Sequence, residues 1–131
     1  MIVLDTHVWL WWLHDPAKLS PTAVKLIQQE QESGALILSS ISIWEVAVKL
    51  QSGKLAIPMD ILQWYELARS YPATVIEPLS PVDAIASTQL PGDFHKDPAD
   101  RMIISLARRL AVPLVTCDRK ILEYKHVLTA W

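Results

Sequence analysis

Residues 98–118 read Pro-Ala-Asp-Arg-Met-Ile-Ile-Ser-Leu-Ala-Arg-Arg-Leu-Ala-Val-Pro-Leu-Val-Thr-Cys-Asp, a helix, a break and a strand in succession. Met102, Ile103, Leu106, Ala107 and Leu110 recur at the spacing of one helical face. Pro98 suits the first helical position, and Pro113 cannot continue the helix. Pro113 to Asp118 then predicts a strand that ends on an acid. A helix that delivers a short apolar strand is the repeating half of a β-α-β chain.

Working outward, the same alternation recurs. Ile2 to Leu4 predicts a strand ending on Asp5, and Ala35 to Leu38 a second strand closed by Ser39-Ser40. Thr74 to Ile76 predicts a third, and a tail remains at Val127-Leu128. Helices are expected over 6–14, from Ser20-Pro21 to Gly34, over 42–51, 59–70 and 81–89, with a loop over 91–96 and a short helix after Asp118. The alternation implies an α/β fold, a parallel sheet of four or five strands with helices on both faces. No repeat, linker or low-complexity tract divides the chain, so 1–131 reads as one domain.

The bulk numbers agree. Hydrophobic residues are 51% and charged residues 20% of 131, the balance of a chain with a real core. No apolar run reaches the roughly 18 residues of a membrane span. Met-Ile-Val-Leu-Asp lacks the basic start and long apolar stretch of a signal peptide. One cysteine, Cys117, excludes an internal disulfide, so the cytoplasm is the expected compartment and the thiol an inert packing group. The net charge of −2 does not announce a nucleic-acid binder, although carboxylates gathered on a cation leave room for a locally basic surface.

In open parallel sheets, chemistry gathers beyond the carboxyl ends of the strands, and two strands here end on Asp5 and Asp118. Glu45 follows Ser42 by three residues, the spacing of a capping box, and Asp97-Pro98-Ala99-Asp100 pairs a cap with a first-turn acid. Each acid alone is explained as a helix cap. Together they point elsewhere. Asp100 borders the apolar stripe of its helix, strand alternation sets Thr116 beside Asp118, and Glu45 has little charge around it before Lys49. Inward carboxylates without basic partners repel, and a divalent cation removes that penalty. Oxygen-only donors favour Mg²⁺ or Mn²⁺ over zinc.

The ordered set Leu4-Asp5-Thr6-His7, Ser39-x-x-Ser42-x-x-Glu45, His95-Lys96-Asp97-Pro98-x-Asp100-Arg101 and Leu114-Val115-Thr116-Cys117-Asp118 resembles the four motifs of the PIN-domain family, and its VapC-like bacterial subgroup in particular. The resemblance implies a three-layer α/β/α domain and a metal-dependent endoribonuclease, the toxin of a toxin–antitoxin pair, that hydrolyses RNA phosphodiester bonds with a Mg²⁺- or Mn²⁺-activated water. By position, Asp5, Glu45, Asp100 and Asp118 match the family's metal-site acids. Thr6, Ser42 and Thr116 match its small polar residues, and Asp97 is an extra acid whose role reads as a cap. A PIN-type RNA-processing nuclease outside toxin systems and a non-catalytic Mg²⁺-binding α/β module are the alternatives.

Lys49, Lys96, Arg101, Arg119 and Lys120 lie near the acids in sequence and are the candidates for RNA contact. His7 and His95 invite acid–base roles, but neither has a partner evident from the sequence. Six tryptophans are many for this length, and Trp9, Trp11 and Trp12 crowd a helix with no polar face. Some of that surface is expected to meet a partner; the VapC resemblance implies a homodimer and a cognate antitoxin.

Overall fold

The computed structural model describes residues 1–131 as a three-layer α/β/α fold. In chain order the elements are β1 (Ile2–Leu4), α1 (Thr6–His14), a single 3₁₀ turn (Pro16–Lys18), α2 (Pro21–Ser33), β2 (Leu36–Ser39), α3 (Ser40–Gln51), α4 (Ile61–Arg69) and β3 (Thr74–Glu77). They continue with α5 (Pro81–Ser87), α6 (Pro98–Leu110), β4 (Leu114–Val115), α7 (Arg119–Leu122) and β5 (Thr129–Ala130). The five strands form one parallel sheet in the order β3-β2-β1-β4-β5. The open question of four or five strands resolves to five, because the C-terminal tail pairs beside β4, with Leu114 opposite Thr129 and Val115 opposite Ala130.

Period-two alternation divides the sheet between two cores. Ile2, Leu4, Leu36, Leu38 and Val115 face one cluster, filled by Trp9, Ile27, Val46 and Trp64 from α1 to α4. Val3, Ile37 and Leu114 face the other, filled by Ile103, Ile104, Leu106 and Ile121 from α6 and α7. Strands β1 and β4 and the first three residues of β2 are apolar at every position because both faces are covered. At about 25 cal/mol per Å² of buried apolar surface, this double burial is the main source of stability.

The chain leaves β1 to build β2 and β3 on one side, then returns to place β4 on the other. The switch in direction therefore lies between β1 and β4, the place where open α/β sheets form their crevice at the carboxyl ends of the strands.

Two local expectations change. Helix α3 begins at Ser40, two residues early, and its N-cap is Ser39, whose Oγ accepts from the Ile41 amide at 3.2 Å. Ser42 and Glu45 therefore form no capping box. The helix that does carry one is α4, where Asp60 accepts from the Gln63 amide at 3.0 Å and Gln63 returns the bond at 3.4 Å. Helix α6 begins as read, with Asp97 Oδ1 accepting from the Asp100 amide at 3.0 Å.

Candidate active site

Asp5 closes β1 and caps α1, so one residue sits at once on the sheet edge and on a helix N-terminus. It is 5% exposed. Oδ1 accepts from the Thr6 amide at 2.8 Å, and Oδ2 accepts from the Thr116 hydroxyl at 2.7 Å. Thr116 Oγ1 also accepts from the Asp118 amide at 3.0 Å. Strand β4 stops at Val115, so this hydroxyl turn, and not strand alternation, joins Thr116 to Asp118. Asp118 then caps α7, its Oδ1 accepting from Lys120 at 2.8 Å and Ile121 at 3.3 Å. One threonine thus ties the ends of β1 and β4 together across the switch point.

Glu45 is brought in from α3. Thr6 Oγ1 lies 2.6 Å from Glu45 Oε1 and 2.8 Å from Ser42 Oγ. A hydroxyl has one proton, so Thr6 donates to the carboxylate and the Ser42 hydroxyl donates to Thr6. Freed from any cap, Glu45 is aimed at the cleft from the second turn of its helix. Asp100 comes from the first turn of α6, with its side chain 17% exposed. His95 Nε2 stands 3.1 Å from Asp100 Oδ2, while His95 Nδ1 accepts from the Asp97 amide at 3.4 Å. An acceptor at Nδ1 puts the neutral ring's proton on Nε2, which lies close to Asp100 but makes no hydrogen bond in this arrangement.

The four acids that the sequence singled out feel one another. Burial pushes the Asp5 carboxyl above its ordinary range, against the Thr116 and Thr6 bonds that hold it down. Burial does the same to Glu45, opposed by Thr6, with Asp5 adding to the rise. Asp100 is pushed up to about 7 by burial, then by Asp5, Asp97, Asp118 and Glu45. Lys49 relieves Glu45 in part and His7 relieves Asp5, but neither offsets the burial, and no three of the acids are drawn together into a ready ligand set. The donor chemistry fits a hard divalent cation: four carboxylates, hydroxyls that orient two of them, and mutual destabilisation that such an ion cancels.

The supporting residues separate. Thr6, Ser42 and Thr116 lie inside the bond network, whereas Asp97 serves as the α6 cap. Arg101 departs from its expected role as an RNA contact. Its guanidinium donates to the carbonyls of Ser87 at 2.7 Å, Phe94 at 3.0 Å and His95 at 3.1 Å. The fork is committed to holding the 87–95 segment, and with it His95. Lys96, Arg119 and Lys120 are exposed, and Lys49 is half-buried with its Nζ 3.1 Å from His7 Nε2. Burial and Lys49 hold the His7 imidazole below its ordinary range, so it accepts here. The partners of His7 and His95 come from 42 residues away and from the first turn of α6, the distant one beyond reach of local sequence reading. Cys117 is half-buried, and burial and Asp5 raise its thiol pKa, which keeps it unreactive.

The profile of the PIN domain family matches residues 2–127. Ribonuclease VapC22 of Mycobacterium tuberculosis is 31% identical over 132 aligned positions, covering 99% of this chain and 98% of that protein. Among solved structures, VapBC2 from Rickettsia felis bound to a DNA fragment from its promoter has a similar chain, with a TM-score of 0.73 at 16% identity. That likeness covers 99% of this chain and 98% of the other. A toxin–antitoxin complex from Klebsiella pneumoniae follows at a TM-score of 0.67 and 17% identity, over 100% and 97% of the two chains. At those identities the structures speak for the fold.

Proposed function

The chain belongs to the PIN-domain family, and from that premise we propose that it is a VapC-type toxin, an endoribonuclease that depends on Mg²⁺ or Mn²⁺. The supporting observation is that Asp5, Glu45 and Asp118 all act on Asp100 near the switch point, and that burial and this repulsion raise three of the four acids, although no three stand close enough to hold an ion as they are. The ribonuclease relative supports RNA as substrate, and the toxin–antitoxin complexes support a cognate antitoxin as partner.

When bound, the divalent cation supplies Lewis-acid chemistry, favouring a water nucleophile and a polarised phosphate. The chain's own residues prepare the place. Thr116 and the Thr6 amide fix both oxygens of Asp5, and the Thr6 hydroxyl fixes one oxygen of Glu45, so two carboxylates are held in set orientations before substrate arrives. Asp100 and Asp118, on separate helices, complete the acidic rim. Arg101 steadies the loop that carries His95 against Asp100. The exposed Lys96, Arg119 and Lys120 offer charge to the RNA backbone.

A homodimer is part of the same proposal. Val82 on α5 is 64% exposed and Ile85 61%, an apolar face with no cover in one chain.

The test is cleavage of total RNA and of a tRNA pool by the purified chain, free of antitoxin, with Mg²⁺, Mn²⁺ or EDTA, beside Asp5→Asn. Discrete metal-dependent cuts that vanish in the variant are expected. A variant that cuts at the native rate would sink the assignment of the acids.

A further inference from the structure

Beside the acids, but separate from them, lies a groove of about 320 Å³ between α1, the 3₁₀ turn and the segment joining α3 to α4. Trp11, Lys18, Lys49 and Lys54 line it together with one carboxylate, Asp15, so cations outnumber acids there in a protein whose net charge is −2. The backbone gathers these charges. The amides of Lys54 and Leu55 both donate to the Lys49 carbonyl, at 2.9 and 3.1 Å, so the chain folds back over the end of α3 and Gly53 takes a φ of 76° in the turn. Lys49 and Lys54 thereby reach the same groove. Lys18 approaches from the opposite wall, its Nζ 5.9 Å from the centre of the Trp11 ring. Only Lys18 has a carboxylate within reach, Asp15 at 3.5 Å on the exposed surface. Lys49 turns to the His7 ring and Lys54 enters no ion pair.

The groove leads to the acids. Lys49 touches His7, which follows Thr6 and Asp5, and the Lys49 charge is felt at Glu45.

We infer that this groove is a subsite for single-stranded RNA next to the scissile phosphate, with Lys18 and Lys54 taking backbone phosphates and Trp11 offering a stacking surface to one base. The inference rests on the ribonuclease reading above and adds residues that the metal-site acids do not include. Single-strand sites combine this pair of features, cations that track the backbone and an aromatic ring on which a base stacks. The size suits a nucleotide and excludes a duplex. An acidic peptide would also meet the lysines, but it has no use for a flat indole. Continued towards the cleft, it would also bring carboxylates against Asp5 and Glu45. A phosphodiester strand entering the same cleft is the group that a cation there would receive.

The experiment uses an Asp100→Asn background, chosen to prevent cutting, and follows the fluorescence anisotropy of a short labelled single-stranded RNA of mixed sequence across a salt series. Lys18→Ala with Lys54→Ala is expected to weaken binding at least tenfold at low salt. It should also lower the slope of log K against log salt by about 1.4, two single-strand phosphate contacts at about 0.7 each. Trp11→Leu is expected to weaken binding while leaving that slope unchanged, the signature of a lost stack. The lysine pair is exposed, so its replacement keeps the test valid even if the tryptophan variant fails to fold. Unchanged affinity and slope in the lysine variant overturn the subsite. So does a lysine variant that binds RNA normally but loses a poly-glutamate probe, which would give the groove to an acidic peptide. The ribonuclease reading fails separately, if the native chain cuts no RNA with any divalent cation.

Discussion

Thr116 is the residue on which the cleft depends most. Its hydroxyl donates to Asp5 and accepts from the Asp118 amide, and it is fully buried. Thr116→Val keeps the shape and removes both bonds, leaving a buried carboxylate oxygen and an amide without partners. Such a loss costs about 1–3 kcal/mol. We expect a lower Tm and cleavage reduced at least tenfold, with Thr116→Ser restoring most of both. A valine variant of native activity would remove Thr116 from the site. Asp5, Asp100 and Asp118 stand out in the sequence because each closes a strand or opens a helix, whereas Glu45 stands out by a capping-box spacing that the structure does not use. Thr116 was legible only as a neighbour of Asp118, since its tie to Asp5 spans 111 residues. Arg101 lies next to Asp100 in sequence, which suggests substrate contact, whereas its guanidinium turns to three loop carbonyls that no local pattern reveals.

At the scale of elements, the two-faced apolar strands and the stripe of α6 carried the architecture, because burial on both sides leaves its mark on every residue of a strand. Boundaries depended on weaker signals. Ser39, Ser40 and Ser42 all make plausible caps, and the choice of Ser39 follows from where β2 stops pairing with β3, a tertiary fact. Strand β5 was hidden because Thr129 and Ala130 carry no pattern by themselves and pair only once β4 is in place. Helix α6 ends on Ala111 at a φ of 56°, a left-handed position that glycine fills without steric cost. The residue is exposed and its amide continues to serve the carbonyls of Ala107 and Arg108. Ala111→Gly is expected to stabilise the protein by about 0.5–1 kcal/mol, glycine's larger unfolded entropy offsetting part of the relief. Thermal unfolding at fixed pH and metal checks it, and a lower Tm would show that the helix end tolerates alanine without strain. Asp97→Ala at the other end should cost about 1 kcal/mol through the lost cap.

Across the whole molecule, the shielded acids set fold stability against ion-free function. Asp100 has an ordinary value of 3.8 and is pushed up to about 7 in the fold, and Asp5 and Glu45 move in the same direction. A carboxyl raised on folding binds its proton more tightly folded than unfolded, so its protonation favours the fold. That contribution is complete below the unfolded value and is lost as pH rises through about 7. The metal-free protein should therefore lose Tm as pH is raised from about 5 to 8, the reverse of what carboxylates held by salt bridges produce. Asp100→Asn removes one of these charges and should flatten the profile, leaving the metal-free variant more stable than the native chain at pH 8. A divalent cation acts in the opposite sense, because it binds the ionised carboxylates and must displace their protons. Mn²⁺ should accordingly raise the native Tm strongly at pH 8, weakly near pH 5.5, and little in the Asp100→Asn variant at either. The decisive comparison is the metal-free Tm of the two proteins at pH 8. If the native chain is the more stable there, the acids are satisfied as they stand, and no stored repulsion waits for an ion to relieve it.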